Sequence, residues 1–144
     1  MEALVTSLVN RRPLRIEWGQ CDPAGIVFNR RFFEFFDQGT WLLFEIALGV
    51  KMQDLAKTFD IVGIPLVDAR AQFRKPAKFG DAAEIASRVT EFRRSSFDVE
   101  HKIFIDGELA IEGGETRIWA GRDKNDPSRM VSRPVPQDVI RRFG

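Results

Sequence analysis

The chain has 144 residues, 44% of them hydrophobic and 30% charged, which fits one globular domain over residues 1–144 with a hydrophobic core. The 22 Lys and Arg side chains against 21 Asp and Glu give a formal net charge of +1, so we expect no nucleic-acid partner. The single cysteine excludes an intrachain disulfide and a cysteine-rich metal or cluster site, and it fits a reducing compartment. The first residues lack the features of a signal peptide and no apolar run is long enough to cross a bilayer, so we expect a soluble, cytoplasmic protein with no membrane partner.

The residue types present also limit the chemistry of an active site. The chain has one histidine, His101, and no tyrosine, which excludes a histidine-rich metal site, a relay of two histidines and a tyrosine acid. Carboxylates are therefore the better candidates for an acid, a base or a nucleophile. We expect neither a metal nor a cofactor. His101 lies in an alternating segment and is expected to be a core or interface residue.

The N-terminal part of the chain is predicted to form a strand, a turn and a long helix. Residues 4–18 carry a strand pattern that Pro13 interrupts, and residues 21–25 are dense in turn-forming types. A helix is predicted from about residue 31 to residue 48, with its end at Gly49. Its expected buried positions recur at helical spacing: Phe32, Phe35, Phe36, Gly39, Leu42, Leu43 and Ile46. Because Phe33, Trp41 and Phe44 widen this apolar surface, most of the helix circumference is expected to be covered.

The remainder of the chain is predicted to be mostly strands. A short amphipathic piece covers about residues 52–59, and four strands follow at 66–75, 83–94, 97–105 and 109–120, which we expect to form successive antiparallel hairpins. Gly113 and Gly114 are expected to mark a bulge. After Ala120 the sequence predicts a charged, partly mobile loop and a last helical turn or two at residues 137–143.

This order of elements predicts an α+β fold in which an antiparallel sheet curls around a single helix. A sheet has two faces, and the helix covers only one of them. An edge strand or the outer face is therefore expected to pair with a second copy, which predicts a homodimer or a larger homo-oligomer.

The segment around Asp22 is the most unusual stretch of the sequence and has two interpretations. In the first, Asp22, Pro23 and Gly25 occupy the first, second and fourth positions of a type I turn, and turn geometry alone explains them. In the second, the Asp22 carboxylate is catalytic, because the turn precedes the N-terminus of the predicted helix by a few residues. Unpaired backbone N–H groups at a helix start can stabilise an oxyanion. Cys21, beside it, is expected to be a packing residue that faces away from Asp22.

Three segments together resemble the 4-hydroxybenzoyl-CoA thioesterase family of hotdog-fold enzymes. They are residues 22–27 (DPAGIV), 61–67 (IVGIPLV) and 91–97 (EFRRSSF), in the same order and at compatible spacing, and the likeness extends over about residues 16–105. The resemblance implies a curled sheet around a helix, dimers that continue the sheet, and active sites at the subunit interface. It also implies hydrolysis of an acyl-CoA thioester.

The resemblance further implies roles for individual residues. Asp22 would act on the thioester carbonyl, as the nucleophile or as the base for water, and the backbone N–H of Asn29 would form the oxyanion hole. The family commonly has Tyr where this chain has Asn29, so a contact of that aromatic ring is lost while the main-chain contribution is kept. The residues implied to contact the acyl group are Phe28, Asp37, Ile64 and Pro65. Those implied to bind CoA are Arg93, Arg94 and Ser96.

Two of these positions have a further interpretation. Asp37 is either a solvated charge at the border of the apolar helix surface or, by the resemblance, the group that contacts a para-hydroxyl of an aromatic acyl group. The family has Thr where this chain has Ile64, which should weaken a preference for a polar ring substituent. Arg93 and Arg94 are either a solvated charge pair or the ligands of the CoA phosphates, for which guanidinium groups are suited.

The sequence therefore predicts a cytoplasmic homo-oligomer, a dimer or a dimer of dimers, that hydrolyses an aromatic acyl-CoA of the benzoyl or hydroxybenzoyl type to the free acid and CoA. A second enzyme hypothesis is a thioesterase that acts on acyl chains carried by acyl carrier protein, whose acidic surface would meet the basic residues. A third hypothesis, from another class, is a non-catalytic acyl-CoA-binding protein in which Asp22 is only a turn residue.

Overall fold

A five-stranded antiparallel sheet curls around one long helix in the computed structural model, which describes residues 6–27 and 29–144. The five strands are β1 (Asn10–Leu14), β2 (Leu66–Phe73), β3 (Ala83–Phe92), β4 (Ser96–Ile105) and β5 (Glu108–Ile118). Their order across the sheet is β1-β3-β4-β5-β2. The predicted α+β arrangement is confirmed, and each of the four later strands lies within a few residues of its predicted place.

The long helix, α1, spans Arg31–Leu48 as predicted and ends at Gly49, which adopts the left-handed conformation with φ of 69°. Short helical turns at Trp18–Gln20 and Met52–Asp54 and the helix α2 (Leu55–Phe59) flank it. A small hairpin of β6 (Ala120–Arg122) and β7 (Met130–Ser132) and the helix α3 (Gln137–Arg141) complete the fold. No helix in these two described ranges is both long and apolar enough to cross a membrane.

The pairing of β2 differs from the predicted series of hairpins. β3, β4 and β5 do form successive hairpins, but β2 pairs with β5 at one edge of the sheet and β1 pairs with β3 at the other. The reason is that α1 contacts β1, β3, β4 and β5 and so carries the chain across the sheet before β2 begins. Residues 74–82 then return the chain past two strands to β3. Hydrophobic patterns locate strands, but they do not show which strands are neighbours.

The core lies between α1 and the concave face of the sheet. The predicted alternation in β4 is confirmed, because Phe97, Val99, His101, Ile103 and Ile105 are all buried. The expected partial mobility of the residues after Ala120 stays a prediction, but their apolar side chains belong to the core. Val135, Val139 and Phe143 are buried in the same core cluster as the C-terminal half of α1, because α3 closes that end of the sheet.

Gly113 and Gly114 do not form the predicted bulge. Both residues keep the regular register with β4 and β2, and the irregularities in the sheet fall elsewhere. Their small size serves close packing instead, because a Cβ atom on Gly113 would lie 2.2 Å from the ring of Phe36 and one on Gly114 would lie 2.8 Å from the Arg70 guanidinium. The missing side chains let α1 and Arg70 approach β5 closely.

The helix is less completely covered than the sequence predicts. Ile46 was expected on the buried face but is 57% exposed, and Phe33 is also exposed. Trp41 and Leu42 are only partly buried. The sheet of one chain contacts one side of α1, so the widened apolar surface is left open on the other side.

We expect Gly113→Ala to destabilise the protein by about 1–3 kcal/mol, because the added methyl group overlaps the Phe36 ring inside a close-packed core. The measurement is urea-induced unfolding followed by tryptophan fluorescence. Gly19→Ala is the matched control, since nothing lies within 4 Å of its added Cβ, and it should change stability by less than about 0.5 kcal/mol. Equal stability of the two variants would contradict the close approach of α1 to β5.

Candidate active site

The turn at Asp22 is tightly hydrogen-bonded. The N–H of Asp22 donates to the carbonyl of Ile26 at 2.9 Å, and the N–H of Gly25 donates to the carbonyl of Asp22 at 2.9 Å. Asp22 Oδ1 accepts a hydrogen bond from the N–H of Ala24 at 2.8 Å, and Gly25 has a φ of 81°. The predicted turn is confirmed. Its geometry uses one carboxylate oxygen of Asp22 and leaves Oδ2 without a hydrogen bond to any described residue.

Neighbouring segments hold this turn in place. The N–H of Val27 donates to the carbonyl of Ala77 at 2.7 Å, and the N–H of Phe79 donates to the carbonyl of Gly25 at 3.2 Å. Cys21 packs against the core cluster beneath the turn, and its Sγ lies 3.7 Å from the carbonyl oxygen of Glu17. These contacts agree with the expected packing role of Cys21.

Asn29 lies at the surface just before α1. Its carbonyl accepts a hydrogen bond from the N–H of Phe32 at 3.2 Å, which begins the first turn of the helix. Asn29 lines a cavity of about 220 Å³ together with Val27, Phe32 and Phe73. The backbone of Asn29 is thus close to the helix start, where the oxyanion site is predicted. Phe28, predicted to contact the acyl group, lies outside the described residues.

Asp37 lies farther along α1 and lines a different cavity, of about 590 Å³, between the helix and β1. Its side chain is 58% exposed, but Oδ1 accepts a hydrogen bond of 2.7 Å from Nη2 of Arg117, which is only 3% exposed. Asp37 is therefore tied to a buried cation, which the interpretation as a plain solvated charge does not anticipate. Phe35 and Trp41 line the same cavity.

Ile64 and Pro65 immediately precede β2. The Ile64 side chain is 2% exposed and belongs to the main core cluster, so within one chain it faces the interior. Its carbonyl accepts a hydrogen bond from Nη1 of Arg117 at 3.0 Å. Pro65 is half-buried, and its carbonyl accepts from the N–H of Ile118 at 3.1 Å. Contact of these two residues with an acyl group stays a prediction.

The predicted CoA-binding residues lie at the β3–β4 turn, where Arg93 already has partners. Its guanidinium bonds both carboxylate oxygens of Asp98, at 2.7 and 2.9 Å, as well as Glu91 at 3.1 Å and Ser96 Oγ at 2.8 Å. The hydrogen bonds to Asp98 raise the pKa of Arg93 and lower the pKa of Asp98. Arg94 is exposed and has no acidic partner within 4 Å among residues 6–27 and 29–144. Of the two guanidinium groups, that of Arg94 is the one available to a phosphate.

A buried polar network, not predicted from the sequence, lies between α1 and the sheet. Arg117 donates from Nε and Nη2 to the two oxygens of Glu115, at 3.1 and 2.8 Å. Glu115 also accepts from the Thr40 hydroxyl and lies 3.2 Å from His101 Nε2, while His101 Nδ1 lies 2.7 Å from Ser87 Oγ. The sequence does contain a pattern that indicates this network. Glu115 and Arg117 lie two and four residues after Gly113 in β5, so their side chains point to the same, concave face of the sheet.

Ionisation inside this network follows from burial and from its hydrogen bonds. Burial lowers the pKa of His101, outweighing the effect of the Glu115 carboxylate, so the imidazole is neutral at pH 7. Since Glu115 can only accept, Nε2 carries the proton and Nδ1 accepts from Ser87. Burial acts to raise the pKa of Glu115, but hydrogen bonds from His101 and Arg117 outweigh it and lower that pKa to about 2. Glu115 and Arg117 are therefore a buried ion pair.

Metal ligands do not converge anywhere in the described part of the chain: no group of three or more His, Cys, Asp or Glu side chains there has a metal-binding arrangement.

Comparisons with known proteins show the family of the chain. A family model described as the thioesterase-like superfamily matches residues 16–143. The chain is 33% identical over 132 residues to the 4-hydroxybenzoyl-CoA thioesterase of Pseudomonas sp. (strain CBS-3), in an alignment that covers 88% of this chain and 91% of that relative.

Two solved structures are similar to this chain over nearly its whole length. A mutant of 4-hydroxybenzoyl-CoA thioesterase complexed with 4-hydroxybenzoyl-CoA matches with a TM-score of 0.84 and 28% identity, covering 94% of this chain and 99% of that chain. A gentisyl-coenzyme A thioesterase matches with a TM-score of 0.74 and 28% identity, covering 92% of this chain and 99% of that chain. These matches confirm the expected hotdog fold.

We expect part of the acid sensitivity of the protein to come from His101. Its pKa is lower in the folded chain than in the unfolded chain, where it is about 6.5, so the unfolded state binds the proton more tightly and acid favours unfolding. The resulting loss in the free energy of unfolding is absent above about pH 6.5, and it grows as the pH falls toward the pKa of His101 in the folded chain. The measurement is the free energy of unfolding in urea between about pH 7 and pH 5.

His101→Gln should flatten this pH dependence even if it lowers stability at every pH. A loss at more acidic pH should persist, because Arg117 still lowers the pKa of Glu115, and the stabilisation by this carboxylate disappears as the pH falls below about 4.5. An unchanged slope between about pH 7 and pH 5 in the variant would show that His101 is not the group responsible.

Proposed function

The chain belongs to the thioesterase-like superfamily and is a thioester hydrolase, and on that basis we propose that it hydrolyses an aromatic acyl-CoA to the free acid and CoA. The single observation that carries the proposal is the turn at Asp22. There the N–H of Ala24 holds Oδ1 of the carboxylate in a turn that precedes α1 in the chain, and Oδ2 is left without a described hydrogen-bond partner. The named relatives, which act on 4-hydroxybenzoyl-CoA and gentisyl-CoA, support an aromatic acyl group.

The proposed reaction at Asp22 can follow two courses that have the same reactants and products. As a nucleophile, Asp22 attacks the thioester carbonyl and expels CoA thiolate, which leaves as the thiol, and water then hydrolyses the mixed anhydride. As a general base, Asp22 removes a proton from water, which attacks the carbonyl directly. Either course consumes one water molecule and yields acid and thiol. The carbonyl oxygen becomes negative in both, and the N–H of Asn29 at the positive end of α1 would stabilise it.

The proposed acyl site combines Asp37 with aromatic side chains. Phe35 and Trp41 line the same cavity as Asp37 and suit an aromatic ring, and a carboxylate can accept a hydrogen bond from a ring hydroxyl. For CoA, the exposed Arg94 supplies a guanidinium for a phosphate. Arg93 would have to exchange its bonds to Asp98 before it could do the same, and Ser96 would have to release Arg93.

We place the complete site between two copies of the chain. Asp37 and Asn29 line different cavities of one chain, so a second copy is needed to bring an acyl-binding carboxylate to an oxyanion site. β2 is an edge strand with exposed apolar side chains, including Leu66 and Val67. Unpaired edge strands of this kind favour pairing with another chain, and two copies joined through β2 would form one continuous sheet.

We expect Asp22→Asn to lower kcat for an aromatic acyl-CoA by about 10²–10⁴-fold, because the amide can neither attack nor take a proton. The assay is free-thiol release from benzoyl-CoA, 4-hydroxybenzoyl-CoA, phenylacetyl-CoA and linear acyl-CoA substrates. Asp123→Asn is the matched control, since Asp123 Oδ1 also accepts a backbone hydrogen bond two residues on, from Asn125 at 2.9 Å. It should leave kcat unchanged.

The outcomes of this assay separate the hypotheses. Turnover of linear chains alone would contradict the aromatic assignment but leave the thioesterase in place. Equal activity of Asp22→Asn and the wild type, with both proteins folded, would mean that Asp22 is only a turn residue. Hydrolysis of acyl carrier protein thioesters in preference to every CoA ester would favour the carrier-protein hypothesis.

We expect Leu66→Lys combined with Val67→Lys to convert the dimer to a monomer and abolish turnover, because the added charges repel one another across the paired edges. Light scattering gives the molar mass and thiol release gives the activity. Met130→Lys, at another exposed apolar position on the small hairpin, should change neither. An active monomer would refute a site shared between two copies.

A further inference from the structure

We propose that Arg117 is a positioning residue that sets the preference of the acyl site for a hydroxylated ring, an inference that rests on the proposed function. Its guanidinium joins two parts of the proposed acyl site that come from distant places in the chain. Nη2 donates to Asp37 on α1 at 2.7 Å, and Nη1 donates to the carbonyl of Ile64, just before β2, at 3.0 Å. No other described side chain hydrogen-bonds both elements.

Glu115 fixes the position of the Arg117 guanidinium. Nε and Nη2 bond the two oxygens of that carboxylate, and a paired guanidinium and carboxylate define a plane as well as a distance. Glu115 is itself held by the Thr40 hydroxyl and by His101. Because both charged side chains are almost completely buried, rotation of the guanidinium would leave a buried carboxylate without its hydrogen bonds, which is costly.

This arrangement specifies how Asp37 meets a ligand. The bond from Arg117 occupies Oδ1, and Oδ2 has no hydrogen bond to any residue in the described ranges. The carboxylate is therefore oriented with one oxygen bound to the protein and one oxygen open to a hydroxyl donor. Without the bond from Arg117, the half-exposed Asp37 side chain would rotate freely. Its hydrogen bond to the ring hydroxyl would then be less well oriented in the transition state.

The second bond of Arg117 fixes the segment that precedes β2. Ile64 is buried in the core, so its carbonyl is held by its own packing as well as by Nη1. Through Arg117, the Asp37 carboxylate is thus held in a fixed position relative to a rigid part of the fold. A lysine at this position has one ammonium group and lacks the planar fork, so it cannot make the bonds to Glu115, Asp37 and Ile64 together.

The experiment compares Arg117→Lys with wild type on 4-hydroxybenzoyl-CoA and benzoyl-CoA, which differ by the ring hydroxyl alone. We expect the ratio of the two kcat/KM values to fall by about tenfold, because the variant misplaces the group that receives the hydroxyl. Arg88→Lys is the matched control, since Arg88 bonds Glu100 at 3.1 Å on the opposite face of the sheet, and its ratio should equal that of wild type. Thermal unfolding verifies that each variant folds.

A purely structural role for Arg117 predicts a different result. Loss of general stability or alignment would lower both kcat/KM values equally and leave their ratio unchanged, which would overturn the proposal. If Arg117 acts through Asp37, Arg117→Lys should no longer change the ratio in an Asp37→Ala background. A further change of the ratio in that background would also overturn the proposal.

A second variant keeps the test decisive if Arg117→Lys fails to fold. Glu115→Gln retains the size of the side chain and removes the charge that anchors Arg117, although it also alters the contacts with Thr40 and His101. It should lower the ratio in the same direction, by about threefold or more. An unchanged ratio in folded Glu115→Gln would contradict the proposal. Wild type inactive on both aromatic substrates would refute the proposed function and this inference with it, whereas normal wild-type turnover with unchanged ratios in the variants would refute this inference alone.

Discussion

The close approach of α1 to the sheet is the constraint on which the rest of the structure depends. It occurs where glycine replaces a side chain on each surface. A Cβ atom on Gly39 would lie 2.8 Å from Ser87 Oγ, and one on Gly113 would meet the ring of Phe36. Packing at this distance excludes water, so a polar group left unpaired in this layer would be costly.

The network of Ser87, His101, Thr40, Glu115 and Arg117 satisfies that requirement. It begins at a neutral imidazole stacked on Phe36, with ring centroids 5.0 Å apart, and ends at Asp37 on the border of a cavity. A buried ion pair of this kind adds little to stability compared with well-packed apolar side chains. Its effect is to fix the orientation of one surface carboxylate, that of Asp37, through hydrogen bonds that begin in the middle of the core.

The sequence was sufficient for the long helix, the strands β2 to β5 and the Asp22 turn, because these have local causes. The spacing of apolar residues placed α1 at its observed bounds, and the residue types of the Asp22 turn predicted its hydrogen bonds. The position of β2 was not predictable in this way, since pairing with β5 depends on where α1 delivers the chain. Arg117 was missed for a related reason. Its partners Asp37, Ile64 and Glu115 come from three separate segments, and only the folded chain brings them together.

The strand order also has a consequence for how the chain folds during synthesis. α1 leaves the ribosome after β1 but before β2, β3, β4 and β5, so its apolar surface appears while most of the sheet that will cover it has not been made. The central hairpins of β3, β4 and β5 involve local contacts and can form quickly, whereas the pairing of β1 with β3 must close a loop that contains the whole helix. Until that closure, the phenylalanines of α1 are exposed to other nascent chains. The residues that fill the core of the folded protein are thus an uncovered apolar surface on the incomplete chain.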